Sequence, residues 1–136
     1  MQTFLPLPNF YASAKCLDDK RLGKQRVEAW QLFNGQWSNH PASEMWRGYE
    51  YALARYITII CREWMSRGFK DFILQRVIYP PKAEMPWWLG HENFHKYHRS
   101  NLLAKDPIWY GQWGWDCHDN YRYIWPGGKG VRTFQT

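Results

Sequence analysis

Apolar residues recur at helical spacing in three stretches of this chain. In the first, Leu22, Ala29 and Phe33 fall on one side at 100° per residue with Trp30 flanking, while Lys20, Arg21, Lys24, Gln25, Glu28 and Gln31 share the other. The pattern predicts a helix from about Ser13 or Asp18 to Phe33, entered from an extended arm that carries Pro6 and Pro8. In the second, Met45/Trp46, Tyr49, Ala52/Leu53, Tyr56, Ile59/Ile60 and Trp64 repeat at three and four residues. Asn39-His40-Pro41 supplies a start with a capping side chain and a first-turn proline, and Gly68 stands where a C-terminal cap belongs. This predicts one spine helix of roughly 25 residues, on the order of 38 Å long. The third stretch, from about His91 to Ala104, turns Phe94, Tyr97 and Leu102 inward and His95, Arg99 and Lys105 toward its edges, and Asp106-Pro107 ends it.

Between the second and third stretches the pattern is lost. Pro80, Pro81 and Pro86 break any long element, although Phe72 to Tyr79 reads as a short helix or strand. Beyond Pro107 the chain is aromatic and Gly-rich, and residues 127–136 read as a flexible tail. The expected class is mainly α: a single compact helical domain over residues 1–136, with a long central helix and an irregular aromatic-rich C-terminal segment.

Charge adds a partner to this picture. The chain of 136 residues carries a formal net charge of +6, spread along most of its length, which fits a polyanion such as double-stranded DNA. Ten Trp, nine Tyr and seven Phe exceed what so small a core ordinarily uses. Some can serve as stacking platforms for bases, although core packing is the ordinary role of each ring taken singly. Cys16, Cys61 and Cys117 are odd in number and widely spaced, so neither a disulfide framework nor a zinc knuckle is indicated and a reducing compartment is expected. No apolar run reaches membrane-spanning length, and the first ten residues lack the features of a signal peptide. A soluble intracellular monomer is expected, cytoplasmic and nucleoid-associated or within a phage- or virus-infected host.

The segment Leu17 to Trp30 holds the candidate chemistry. A carboxylate, Glu28, lies in a basic stripe one turn from Lys24 and two from Arg21. A solvated face laced with i,i+4 pairs has the same pattern, and the residues alone leave both readings open. A glycosylase needs such a carboxylate, because breaking an N-glycosidic bond builds positive charge on the sugar while flanking cations hold phosphates. His91, His95 and His98 recur at helical spacing near Cys117 and His118, which invites a metal. The carboxylate of a known zinc motif is missing there, and phosphate contacts from His98, Arg99, Ser100 and Lys105 are the preferred reading.

Asp19-Lys20-Arg21-Leu22, with Glu28 six residues beyond Leu22, resembles the first-helix signature of the endonuclease V-type pyrimidine-dimer DNA glycosylases, of which this chain looks like a divergent member. Arg21 stands where that family often has His, and Val27 where it has Arg, so the phosphate contact of that arginine passes to Arg26 or Lys24. The resemblance extends through Ser38 to Pro41, Met45-Trp46-Arg47-Gly48 and Met65 to Lys70, and ends on Trp109-Tyr110, similar to the family's C-terminal aromatic pair.

The resemblance implies base excision by nucleotide flipping, coupled to abasic-site strand cleavage through a Schiff base on the chain's own α-amine, with no metal or organic cofactor. An α-amine titrates near 7.7–8.0 and a lysine near 10.4, so the former supplies far more free base at neutral pH. The bulk of Gln2 opposes removal of Met1, which makes the Met1 amine the nucleophile; the alternatives are Lys20 or Lys24, or no lyase step at all. The implied catalytic residues are Glu28, Met1 and Arg21. DNA contacts fall to Lys20, Lys24, Arg26, His40, Arg47, His98, Arg99, Lys105, Trp109 and Tyr110. Excision of another modified base, or a non-catalytic nucleic-acid-binding module, remains the alternative, and Glu28 discriminates, since a binding surface gains nothing from a carboxylate amid its cations. A metal-dependent nuclease is disfavoured, because the acidic residues do not cluster as a two-metal site requires.

Overall fold

The computed structural model describes residues 1–117 and 122–135; His118, weighed above as a ligand, and Thr136 lie outside them. The chain is mainly helical: α1 (Phe10–Cys16), α2 (Asp19–Phe33), α3 (Pro41–Trp46), α4 (Glu50–Ser66), a 3-10 turn (Leu74–Arg76), α5 (Glu92–Lys105) and α6 (Pro107–Gly111), then the short strands β1 (Trp125–Pro126) and β2 (Phe134–Gln135). One connected core joins them, with α4 packed against α2 and α1. Around the fully buried Trp46 gather Trp88 at 5.0 Å, edge to face, and Tyr56 at 5.5 Å, which in turn meets Phe10 at 5.6 Å. Much of the tryptophan excess is therefore structural, and the buried indoles also place their N–H on a partner, as when Trp88 Nε1 donates to the Met45 carbonyl at 2.9 Å and Trp46 Nε1 to Thr3 Oγ1.

The first expected helix begins at the later of its two expected starts, with Asp18 as its N-cap, and the residues before it form the separate α1, the backbone being extended at Leu17-Asp18. The carbonyls freed at the end of α1 are taken by Arg67, which donates to Ala14 and Lys15, and by Trp109 Nε1, which donates to Cys16 at 2.8 Å. The expected spine is two helices, because Gly48 turns the chain at φ +83° between α3 and α4. His40 Nδ1 caps α3 by accepting from the Ala42 N–H at 2.9 Å. The third helix lies within a residue of its expected ends, and Asp106, besides ending it, caps the short α6 through the Trp109 N–H.

The Gly-rich segment expected as a flexible tail folds back on the body. β1 and β2 pair antiparallel, Trp125 opposite Gln135 and Pro126 opposite Phe134. Phe134 meets Trp87 at 5.1 Å and His91 at 4.8 Å, and the Trp87 indole donates to the Gly127 carbonyl. The turn between the strands plugs the α3–α4 break: Lys129 N–H donates to the Arg47 carbonyl at 2.8 Å, and Gly128 is buried against the backbone of Glu44 and Arg47.

A Cβ on Gly128 would lie 2.6 Å from the Glu44 carbonyl oxygen and 2.7 Å from that of Arg47, both backbone atoms with no room to yield. Gly128→Ala is therefore expected to destabilise by about 1–3 kcal/mol, as overpacking does. Thermal unfolding checks the loss, and faster proteolysis of residues 127–135 locates it; an unchanged midpoint refutes the plug.

Candidate active site

The site begins with the arm, residues 1–8, which runs buried among the helices. Among the described residues it pairs with no strand, and its backbone groups are met by side chains. Gln25 on α2 donates from Nε2 to the Gln2 carbonyl at 2.5 Å and accepts at Oε1 from the Phe4 N–H at 2.8 Å and the Tyr56 hydroxyl at 2.8 Å. Trp46 Nε1 donates to Thr3 Oγ1. On α5, His98 Nδ1 accepts from the Leu5 N–H at 2.9 Å, His95 Nδ1 donates to the Leu5 carbonyl at 2.8 Å, and Arg99 donates to the Pro6 carbonyl.

This anchoring brings the N-terminus to a cavity of about 190 Å³ walled by Met1, Gln2, Lys20, Arg21, Lys24, Glu28, Lys105 and Tyr123, with Phe4 and Gln25 behind them. Glu28 presents one turn beyond Lys24, whose Nζ stands 3.8 Å from its carboxylate. The Glu28 side chain is 12% exposed, and its carboxylate accepts no hydrogen bond among the described residues. Burial raises its carboxyl above the usual range, against the opposing pull of Lys24 and the N-terminal amine. Burial and that same terminal charge lower His40, whose ring meets Trp125 at 5.5 Å, so His40 also senses the amine. Arg21 is held on Asp18 at 3.2 Å, and Asp18 also accepts from the Tyr110 hydroxyl. Lys105 reaches the site from the end of α5, 5.7 Å over the Tyr123 ring. The arrangement offers a largely buried carboxylate with no hydrogen-bond partner among the described residues, the chain's N-terminal residue and several cations around one small cavity.

Six sequence-based assignments thus converge: Met1, Lys20, Arg21, Lys24, Glu28 and Lys105. Others do not. Arg26 pairs with Asp71 at 2.6 Å and lies over the Trp64 ring, on another side of α2. His98, expected on phosphate, is fully buried under the arm, and burial pushes it well below the usual histidine range. His95 is likewise buried, not at an edge, and lowered by burial. Arg99 is occupied by Pro6 and by Glu92. Tyr110 is buried on Asp18, and the Trp109 indole is bound to Cys16, so this aromatic pair braces the start of α2. Arg47 is exposed by the α3–α4 break and donates to the Ser38 carbonyl. Among the described residues no three potential metal ligands converge, and His95 and His98 serve the arm. Sequence reasoning missed Gln2 and Tyr123 as cavity residues. Gln25, seen only as a member of the polar stripe, is the residue that grips the arm.

A sequence model of the pyrimidine dimer DNA glycosylase family matches residues 1–74, more than half of the chain. No curated protein and no solved structure matches the chain.

Burial raises the Glu28 carboxyl in the folded chain above its unfolded value, so the folded state holds the proton more strongly and loses stability as pH rises through that interval. Glu28→Gln removes the ionisation. The variant is expected to melt higher than the parent at about pH 7 and no higher below about pH 4, where the unfolded carboxyl is itself protonated. Melting curves at the two pH values check this; a variant less stable at neutral pH refutes it.

Proposed function

Given that the chain belongs to the pyrimidine dimer DNA glycosylase family, we propose that a damaged pyrimidine nucleotide, turned out of duplex DNA, loses its base at the Glu28 cavity and that strand cleavage at the abasic site follows there. One observation carries the reading: the largely buried Glu28 carboxylate, with no hydrogen-bond partner among the described residues, shares its cavity with Met1 and a wall of cations.

The chemistry follows from that pairing. The free amine of Met1 attacks C1′ of the deoxyribose, and the glycosidic bond breaks with its electron pair going to the base, which is then protonated from solvent. Positive charge develops on the sugar, and the Glu28 carboxylate faces it. Loss of the amine proton and opening of the sugar ring leave a Schiff base between Met1 and C1′. Removal of a C2′ proton then expels the 3′ phosphate, and Glu28 is the acceptor at hand. Lys20, Arg21, Lys24 and Lys105 hold the flanking phosphates, a role that fixes register without reading sequence.

Borohydride treatment of the untagged protein with an abasic oligonucleotide is expected to leave a covalent adduct on Met1. An adduct on Lys20 or Lys24 would reassign the nucleophile. Glu28→Gln is expected to keep DNA affinity while base excision from ultraviolet-irradiated duplex falls on the order of a hundredfold or more, the usual loss when one charge-stabilising group goes. DNA binding with no adduct and no excision by the parent would favour a binding module.

If those four cations each meet a phosphate, the logarithm of the affinity for duplex DNA falls against the logarithm of salt concentration with a slope of roughly −3 to −4. A salt titration checks it; a flat response refutes phosphate contact by this face.

A further inference from the structure

Trp37, in the loop between α2 and α3, is 50% exposed, and among the described residues it is the single one other than glycine with a positive φ, at +60°. A lone exposed ring is ordinary on a protein surface. A bulky side chain in the left-handed region is not, because glycine or asparagine takes that conformation at lower cost. Such outliers persist where their surroundings hold them, and they gather at functional sites. The hold is explicit here. The Trp37 carbonyl accepts from the His40 N–H at 2.9 Å and from the Ser43 hydroxyl at 2.7 Å, and the indole Nε1 donates to Gln31 Oε1 at 3.0 Å, on the helix that carries Glu28. The ring lies outside the core cluster, so packing does not account for it.

Its position relates it to the cavity. From Tyr123 in the cavity wall a row of rings runs outward through Trp125 at 5.6 Å and His40 at 5.5 Å to Trp37 at 6.4 Å. Laid end to end, these separations match no more than about five base-pair steps of ~3.4 Å, so one short stretch of duplex can reach the cavity and Trp37 together. Lys20, Arg21, Lys24 and Lys105 draw a phosphate backbone to the cavity, and the exposed Arg47, which donates to the Ser38 carbonyl beside Trp37, adds a cation at the loop itself.

Resting on the reading above, we propose that Trp37 stacks on the base left exposed when the damaged nucleotide is turned out of the duplex. Turning a nucleotide out strips its neighbour of a stacking face, a cost that precedes any chemistry at the sugar. An indole fixed in advance covers that face, and it does so without regard to sequence because every base has a π-face. Apolar side chains that enter a base step in this way keep the duplex open. Trp37 acts on the neighbour of the reacting nucleotide and not on the reacting atoms, so it is a positioning residue.

The test uses Trp37→Gly, which removes the ring but suits the backbone at φ +60°, and Trp37→Phe, which restores a smaller ring. Affinity and stopped-flow fluorescence are compared on one duplex with and without a pyrimidine dimer, carrying the fluorescent base 2-aminopurine next to the dimer position, in turn on its 5′ and 3′ sides. With the parent, 2-aminopurine on one side of the dimer is expected to stay dark on binding, because the indole replaces the departed neighbour. With Trp37→Gly it brightens, and the preference for damaged over undamaged duplex falls roughly fivefold to a hundredfold, the range for one base stacked on an aromatic ring. Trp37→Phe recovers part of both effects, which a mere disturbance of the loop by glycine would not predict. A Trp37→Gly protein that keeps the parent's fluorescence and preference would overturn the proposal, as would equal losses of affinity on the two duplexes. Either result beside normal base excision by the parent sinks this proposal alone. If the parent excises no base from the damaged duplex, the glycosylase reading fails, and this proposal fails with it.

Discussion

An extended arm inside a helical protein has no strand to pair with, so its amides and carbonyls must be met by side chains, and that requirement organises the molecule. Three helices contribute. Gln25 on α2 takes a carbonyl and an N–H, the single Tyr56 hydroxyl proton on α4 is shared between Gln25 Oε1 and the Phe4 carbonyl, and His95, His98 and Arg99 on α5 hold Leu5 and Pro6. Gln25 stands three residues before Glu28 on the same face of α2, so the side chain that grips the arm and the carboxylate that faces the cavity share one helical turn. The placement of Met1 in the wall of the same cavity as that carboxylate is thereby a property of the core.

Periodicity read the existence and type of the main helices correctly, because burial on one face is what it reports. It joined α3 to α4 because Tyr49 and Ala52 keep the spacing across Gly48, although the chain turns there. The break is held from outside by Gly128 and Lys129, eighty residues on, and no local pattern carries that information. The same limit applies to α5. His95 and His98 read as edge or ligand residues because histidine is ordinarily wet, yet here their ring nitrogens substitute for a missing strand. Within the site, charge spacing on α2 made Lys20, Arg21, Lys24 and Glu28 legible. Tyr123 was hidden in an irregular stretch, and Gln2 drew notice only for its bulk.

The family match ends at Leu74, whereas the cavity does not. Lys105 and Tyr123 close it from beyond that point, and the α5 histidines that seat the arm also lie there. The carboxylate, amine and α2 cations thus come from the part of the chain where the family is recognised, and the walls and supports from the rest. Glu28 itself stands at a cost. Its charge is partly desolvated, and Lys24 at 3.8 Å is a loose partner, which leaves the lone pairs unassigned. A tighter local pair would favour the folded state and occupy the group.

The bond between Leu5 and His98 spans 93 residues. Closing so long a loop costs chain entropy, although that cost grows only slowly with separation. A chain that has assembled α1 to α4 already possesses the carboxylate and its neighbouring cations, but the arm has no seat until α5 docks. The seat of the arm therefore depends on a contact between two parts of the chain far apart in sequence, and an opening that freed α5 would release the N-terminus from the cavity while leaving α2 and its carboxylate in place.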